Sequence, residues 1–593
     1  MIVRGRLTSQ SDEGEGSTER TVRRLVFLIA ILIGIVLIIV VQLFRLQVFG
    51  GAVGDEPVVL QDYSSKDPYQ QGWILDCRGC VLALTTFDYD ISAAPGSIKA
   101  QGAAEDIANQ LSPLLDLPPA ELLPILDQDI PYAPLKPRAS KELADAVTAL
   151  GLTGIYTEAR FRREYPGREL AAHVLGFVTY EYTGTYGVEG HYEPVLKGIV
   201  TLAGERVALQ DGILWGMFDP LILPQDGPHL ILTLDRDIQY LTEQELARAI
   251  VRYGAESGTV IVMDPRTGAI LAMANYPSYD PNRYYEAKER HINRAISDHY
   301  EPGSVLKIIT MAAGLDAEVI TVNSEFFDSG SVKVGGCTIH DPVYHAQGSV
   351  TMADILAYSL NVGVTYVSTS LGAERFYAYL SDFGFGLPTG IDLYGEVAGF
   401  VKLPGSEDWT ECELATNSFG QGIDVTPLQM ITAVAAVANR GLLMRPYIVQ
   451  GVVDGQGVII TRPTAVRQVV SPEVAEQLTD MLVEAVNRGA ELATVSGYNI
   501  AGKTGTAQVP FEGRYHPEWT IASFVGYAPA DDPQFIILVK IDKPKVASEG
   551  AEVAAPVFRA IAERLFVLLG VPNEAQSSKL KAQTSEGNDD LGF

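Results

Sequence analysis

Twenty consecutive residues from Leu25 to Phe44, LVFLIAILIGIVLIIVVQLF, carry no charge, and this run constrains the chain more than any other feature. As a helix rising about 1.5 Å per residue it is roughly 30 Å long, the thickness of a bilayer's hydrocarbon core. Arg4, Arg6, Arg20, Arg23 and Arg24 precede the run, and within the next 20 residues only Arg45 follows. That asymmetry places the N-terminus in the cytoplasm and the bulk of the chain outside. A cleaved signal peptide would have an apolar region of only about 7–15 residues, and Ala52-Val53-Gly54 is a poor cleavage-like site. The expectation is an uncleaved, single-pass anchor in the plasma membrane with the rest of the chain extracytoplasmic.

At 593 residues the chain exceeds one ordinary domain. Its 44 basic and 73 acidic residues give a net charge of −29, which argues against nucleic acid as a partner, because phosphate binding needs a basic stripe. Residues 1–24 read as a polar cytoplasmic tail, 25–44 as the anchor, 45–225 as a mixed membrane-proximal pedestal, 226–572 as a second large domain and 573–593 as a disordered polar tail. The linker between the two large regions is Leu223-Pro224-Gln225-Asp226-Gly227-Pro228. In the second domain, Asp237 to Tyr253 has the pattern of an amphipathic helix, and Gly258–Met263 with Ala269–Met273 reads as a hairpin turning at Asp264-Pro265-Arg266-Thr267-Gly268. Ala522–Tyr527 and Phe535–Ile541 form a second hairpin, and Val553–Leu569 a closing helix. Strands at both ends with helices between predict an α+β domain, one antiparallel sheet flanked by helices. Of the four cysteines, Cys77-x-x-Cys80 lacks the further Cys or His pair a zinc site needs. It reads as a local disulfide or as two free thiols, and the pairing of Cys77, Cys80, Cys337 and Cys412 stays open.

Three segments carry chemistry. In Pro302-Gly303-Ser304-Val305-Leu306-Lys307 a helix opens, and Ser304 and Lys307, three apart, share a face. A serine needs a base to become a nucleophile, and a lysine serves only when its pKa falls. The positive end of the helix and a second nearby cation both act in that direction. Ser359-Leu360-Asn361 follows a helical stretch, Met352 to Tyr358, and puts a hydroxyl and an amide on one side of a cleft. Lys503-Thr504-Gly505-Thr506 reads as a short strand, where Gly502 and Gly505 leave room for a ligand backbone and Lys503 with the threonines suits a carboxylate. Each segment alone has an ordinary structural reading: a capping serine, an asparagine helix cap, a solvated lysine. Gly497 to Thr504 also fits the phosphate-binding G-x-x-x-x-G-K-[ST] pattern, but no buried strand precedes it, and Gly505, Pro510 and Gly513 oppose the helix that should follow. His340 and His345 belong to no metal-ligand pattern.

The order S-x-x-K, S-x-N, K-T-G-T resembles the penicillin-binding-protein and serine β-lactamase superfamily. Further segments resemble the class B penicillin-binding proteins: Asn293-Arg294-Ala295-Ile296, Gly420-Gln421-Gly422, Thr426-Pro427-Leu428-Gln429 and Ser523-Phe524-Val525-Gly526. In the pedestal so do Gly72-Trp73-Ile74-Leu75-Asp76, Arg162, Tyr165-Pro166, His173-Val174-Leu175-Gly176 and Gly187-Val188-Glu189. Cys77 and Cys80 depart from the first of these boxes. The resemblance covers most of residues 70–560 and implies a peptidoglycan D,D-transpeptidase with a dimerisation-type pedestal, nearer the division (FtsI-like) type than the elongation type. It implies Ser304 as nucleophile, Lys307 as its base, Lys503 as the cation keeping Lys307 neutral, Ser359 as proton relay and Asn361 as holder of the substrate amide. Thr504, Gly505 and Thr506 would bind the terminal carboxylate, and the backbone N–H groups of Ser304 and Thr506 would form an oxyanion hole. The implied partners are peptidoglycan stem peptides, β-lactam antibiotics, the membrane, a polytopic glycan polymerase and division proteins; no metal or organic cofactor is implied. A β-lactamase or D,D-carboxypeptidase shares the motifs and differs in passing the acyl group to water; a non-catalytic scaffold is the reading from another class.

Overall fold

The computed structural model describes residues 71–198, 206–207, 228–342, 347–454 and 457–573. The anchor at 25–44, both expected tails apart from Asn573, the linker 223–227 and His345 lie outside these residues. Among the described residues no helix is long and apolar enough to cross a membrane. The described residues all belong to one compact unit.

The centre of that unit is a five-stranded antiparallel sheet. Its strands are β1 (Ser257–Met263), β2 (Ile270–Tyr276), β3 (Ala501–Phe511), β4 (Arg514–Ala528) and β5 (Phe535–Asp542), in the order β2-β1-β5-β4-β3. Both hairpins read from the sequence are present, and β4 is longer than expected. Every residue of β1 and β5 is buried. These strands read as unbroken apolar runs because both faces are covered. Val260 and Val262 point to one layer, with Ile238 and Leu246 of helix α1 (Arg236–Tyr253) and Phe558, Ile561 and Leu565 of the closing helix. Ile261 and Met263 point to the other, with helices α2 (Lys307–Asp316), α4 (Asn361–Leu371), α5 (Pro427–Ala438) and α6 (Pro472–Gly489). At about 1.5–3 kcal/mol for each fully buried aliphatic side chain, this two-sided burial is what fixes the sheet. The closing helix proves to be two pieces, Gly550–Val553 and α7 (Ala555–Leu568).

Helix α1 begins at Asp235, whose carboxylate accepts from the backbone N–H groups of Asp237 and Ile238, and ends at Gly254 in the left-handed region. Asp235 also pairs with Arg78 from the turn that carries Cys77 and Cys80. Both of those cysteines are free thiols. Burial pushes the Cys77 thiol up to about 12, with Asp235 and Asp76 adding to the effect, so it is held protonated. The disulfide joins Cys337 to Cys412 instead, tying strand Cys337–His340 to helix Glu411–Asn417. Their 75-residue separation gave the sequence no local pattern to show it.

The pedestal and the second domain share structure across the linker. Strand Ile74–Leu75 pairs in parallel with His229–Leu232, which pairs with Val449–Asp454. Long pedestal strands, Val81–Ala93 and Ile155–Glu164, pair antiparallel, and the helices beside them pack a separate small core around Ile91, Ile107, Leu111 and Leu122. The sequence singled out Arg162, yet it is the neighbouring Arg163 that is buried. Its Nε donates to Glu189 Oε1 at 2.7 Å and its Nη1 to Gly72 O at 2.7 Å, whereas Arg162 sits 3.5 Å from Asp88 at a half-exposed surface. On a strand, adjacent side chains take opposite faces, and only Arg163 faces inward. The box at His173 meets the box at Asn293, whose Nδ2 donates to the His173 carbonyl at 3.3 Å.

Candidate active site

Ser304 does not sit in an α-helix. It lies in a 3-10 turn, Gly303–Leu306, and α2 begins only at Lys307. Gly303, at φ +56°, bends the chain sharply and donates its N–H to Gly420 O at 3.1 Å, so the entry is tighter than an α-turn. The shared face survives, because residues i and i+3 eclipse in a 3-10 helix.

Ser359 follows α3 (Met352–Ala357), a helix closed at its start by a reciprocal capping box between Thr351 and Asp354. Arg488 of α6 reaches this segment, donating to Asp354 Oδ1 at 2.6 Å and to the Tyr358 hydroxyl at 2.7 Å. Ser359 itself has φ +57°. A non-glycine residue there costs energy that surrounding contacts must offset, and such residues cluster at functional sites. Asn361 is the first residue of α4 rather than a C-terminal cap.

These pieces converge on one hydroxyl. Ser359 Oγ donates to Ser304 Oγ at 2.8 Å and accepts from Lys307 Nζ at 3.2 Å and from Lys503 Nζ at 3.2 Å. Lys307 Nζ also donates to Ser359 O at 2.5 Å and to Asn361 Oδ1 at 2.8 Å. The link from Lys307 to Ser304 therefore runs through Ser359. Asn361, expected to face substrate, has its Oδ1 on Lys307 and its Nδ2 on the His340 carbonyl at 2.9 Å. Asp341, which the sequence did not single out, accepts the Val362 N–H at 3.0 Å and so pins the start of α4.

Lys307 is fully buried, and its pKa lies well below the ordinary lysine range. Burial is the largest cause, the Lys503 cation the second, and Asp341 opposes them. Loss of hydration, which the sequence does not reveal, outweighs the cation that it does. Burial likewise brings Lys503 down to about 8.

Lys503, Thr504, Gly505 and Thr506 lie on β3, an edge strand paired only with β4, with Lys503 opposite Val525 and Thr506 opposite Ala522. An edge strand can accept an extended peptide through its unpaired backbone groups. The strand after Thr504 and the short 3-10 turn Glu491–Ala493 before Gly497 rule out the phosphate-loop geometry. The reason for glycine at 505 differs from the expected one. A side chain there would come within 2.4 Å of Ser523 Oγ and 2.9 Å of Pro302 O, so glycine lets β3 lie against the turn that carries Ser304. Thr504 Oγ1 is 3.4 Å from Lys503 Nζ. Thr506 Oγ1 donates to Glu549 Oε2 at 2.9 Å and accepts the Gly550 N–H at 3.1 Å. Glu549 carried no sequence signal beyond being a surface glutamate before a glycine. Among the described residues no group of three or more His, Cys, Asp or Glu is arranged to hold a metal.

A buried amine with a depressed pKa, bridged by one hydroxyl to another on a tight turn beside an edge strand, is an arrangement for serine acyl transfer. The family comparisons point the same way. The penicillin binding protein transpeptidase domain matches residues 258–563, and the penicillin-binding protein dimerisation domain matches residues 66–207. Stage V sporulation protein D of Bacillus subtilis is 32% identical over 573 residues, covering 94% of this chain and 88% of that protein. The probable peptidoglycan D,D-transpeptidase PenA of Neisseria gonorrhoeae is 33% identical over 513 residues, covering 85% of each. The crystal structure of penicillin binding protein 3 from Mycobacterium tuberculosis, complexed with aztreonam, superposes with a TM-score of 0.65 at 29% identity, covering 86% of this chain and 98% of that one. The chain belongs to the penicillin-binding-protein transpeptidase family.

Proposed function

We propose that this chain is a peptidoglycan D,D-transpeptidase that works through an acyl-enzyme on Ser304 and is acylated there by β-lactams. The observation that carries the proposal is the Ser359 hydroxyl, in hydrogen-bond contact with Ser304, Lys307 and Lys503 at once. A neutral Lys307 has two N–H bonds and one lone pair. Its two short contacts, to Ser359 O and Asn361 Oδ1, use the N–H bonds, which leaves the lone pair for the Ser359 hydroxyl. For attack the two hydroxyls turn from their resting hydrogen bonds, so that the Ser304 proton passes to Ser359 and the Ser359 proton to Lys307 as Ser304 Oγ attacks the carbonyl of the penultimate D-alanine. The C–N bond breaks, and the proton returns through Ser359 to the departing D-alanine amine. An amine of a second stem peptide next displaces Ser304 and forms the cross-link. The hydroxyls of Thr504 and Thr506 and the Lys503 charge hold the donor's terminal carboxylate, with Gly505 keeping the strand close. Asn361 holds Lys307 in place and presents the cleft side to the substrate amide. The backbone N–H groups of Ser304 and Thr506 stabilise the oxyanion, a contribution of about 3–4 kcal/mol per donor in comparable enzymes.

The remaining parts of the reading rest on the sequence. Residues 25–44 anchor the chain, and 1–24 face the cytoplasm. The pedestal spans 45–225 and the transpeptidase domain 226–572, boundaries that contain both family matches. Glycan polymerisation falls to a polytopic membrane partner, and the division role is favoured over elongation. The test is reconstitution of the full-length chain with glycan-polymerising activity and lipid-linked precursor. Dimeric muropeptides should form with the wild type and be absent with Ser304→Ala. Rapid hydrolysis of penicillin without any dimer would favour a β-lactamase instead.

A further inference from the structure

In the resting site the hydroxyl of Thr506 is already given to a carboxylate, that of Glu549. On the reading above, the same hydroxyl must bind the donor's terminal carboxylate. Two features make this more than an incidental surface contact. Gly550 fixes Glu549 at this place: a side chain on Gly550 would lie 2.4 Å from both Gly505 O and Ser523 O, so the segment is seated directly on β3 and β4. Glu549 is also solvent-exposed and forms no ion pair among the described residues, so its charge is not neutralised by the protein. Thr506 O lies against Gly303, the residue before Ser304, which puts this charge at the rim of the reacting centre.

We propose that Glu549 is the acceptor subsite: it binds the cationic ammonium group of the second stem peptide and opposes re-entry of the carboxylate of released D-alanine. The inference rests on the transpeptidase reading and assigns its acceptor. When the donor enters, its carboxylate takes the Thr506 hydroxyl and Glu549 swings into solvent, which its exposure allows. Once D-alanine leaves, the Thr506–Glu549 hydrogen bond re-forms. A negative charge then stands beside the acyl-enzyme, where a primary ammonium is attracted and a carboxylate repelled. The acceptor loses one proton to bulk water to become a free amine, and its nitrogen forms the new amide bond. The C–O bond to Ser304 breaks, and the second amine proton returns to Ser304 Oγ through Lys307 and Ser359. Glu549 takes no proton; a carboxylate is too weak a base to deprotonate an ammonium ion.

Two unit charges about 4 Å apart in a water-like medium change an equilibrium about fivefold. Glu549→Gln and Glu549→Ala in the full-length chain should therefore raise the second-order rate of Ser304 acylation by benzylpenicillin, which carries a carboxylate, about fivefold. With a benzoyl-D-alanyl thioester as donor at neutral pH, both variants should lower transfer to Nα-acetyl-lysine amide, a cationic acceptor, by a similar factor. Transfer to hydroxylamine, which is uncharged, should be unchanged. Both effects should collapse in 1 M salt, where the screening length falls to about 3 Å. Equal loss with both acceptors, or no change in either rate, overturns the acceptor assignment while leaving acyl transfer intact. No acylation of the wild-type chain by benzylpenicillin would overturn the underlying reading instead.

Discussion

Lys307 must be neutral to accept a proton, and Lys503 must be charged to hold a carboxylate. These opposite demands give the acylation rate two limbs in pH. The rate rises as Lys307 loses its proton, at a pH well below the ordinary lysine range because burial and the Lys503 cation disfavour its charge. It falls as Lys503 loses its own proton, near pH 8. One unit above that value, only about a tenth of the molecules keep the Lys503 charge, so the rate at pH 9 should be roughly tenfold below its plateau if the cation is essential. Lys503→Met separates the two limbs. The fall at high pH should vanish, because nothing is left there to titrate. The rise at low pH should move upward, because the second-largest cause of the lowered Lys307 pKa is gone. The plateau itself should fall with the lost carboxylate contact. The assay is the second-order rate of labelling by a fluorescent penicillin, followed by stopped flow across the pH range. A high-pH limb that persists in Lys503→Met, or a low-pH limb that stays where it was, would refute the coupling of the two lysines.

Three further outcomes follow from the packing. Below pH 10.5 the unfolded chain binds a proton at Lys307 that the folded chain refuses until its lowered pKa is reached, so stability rises with pH across that interval. Lys307→Met should abolish acylation yet raise the melting temperature by about 1 °C per kcal/mol gained, read by scanning calorimetry. Arg163→Ala leaves Glu189 buried without its partner, a loss of about 3–5 kcal/mol in comparable pairs, and should lower the melting temperature while acylation at low temperature persists. Alkylation in denaturant without reductant should label Cys77 and Cys80 alone, and Cys412→Ser should cost on the order of 4 kcal/mol, the entropy of a loop closed across 75 residues.

What the sequence made legible was whatever local pattern records. The two hairpins and α1 are visible as unbroken or periodic apolar runs, and the three motif segments as short combinations of reactive and small residues. What it could not carry were contacts between distant segments. Arg163, not Arg162, holds Glu189, and only the strand's facing decides which. Cys337 meets Cys412 because a hairpin folds over a helix. Gly505 is required by the approach of Pro302 and Ser523 from elsewhere in the chain. The 3-10 entry at Ser304 depends on Gly303 meeting Gly420, again a long-range contact. Glu549 and Asp341 have no motif at all; their place beside Thr506 and α4 exists only in the folded chain.

The central claim is that Ser304 is the residue that becomes acylated. Intact-mass measurement of the full-length chain after brief exposure to benzylpenicillin, followed by peptide mapping, tests it directly. One added penicilloyl group is expected, on the peptide containing Ser304 and lost in Ser304→Ala. A stable adduct on any other residue, or none on the wild type, would contradict it.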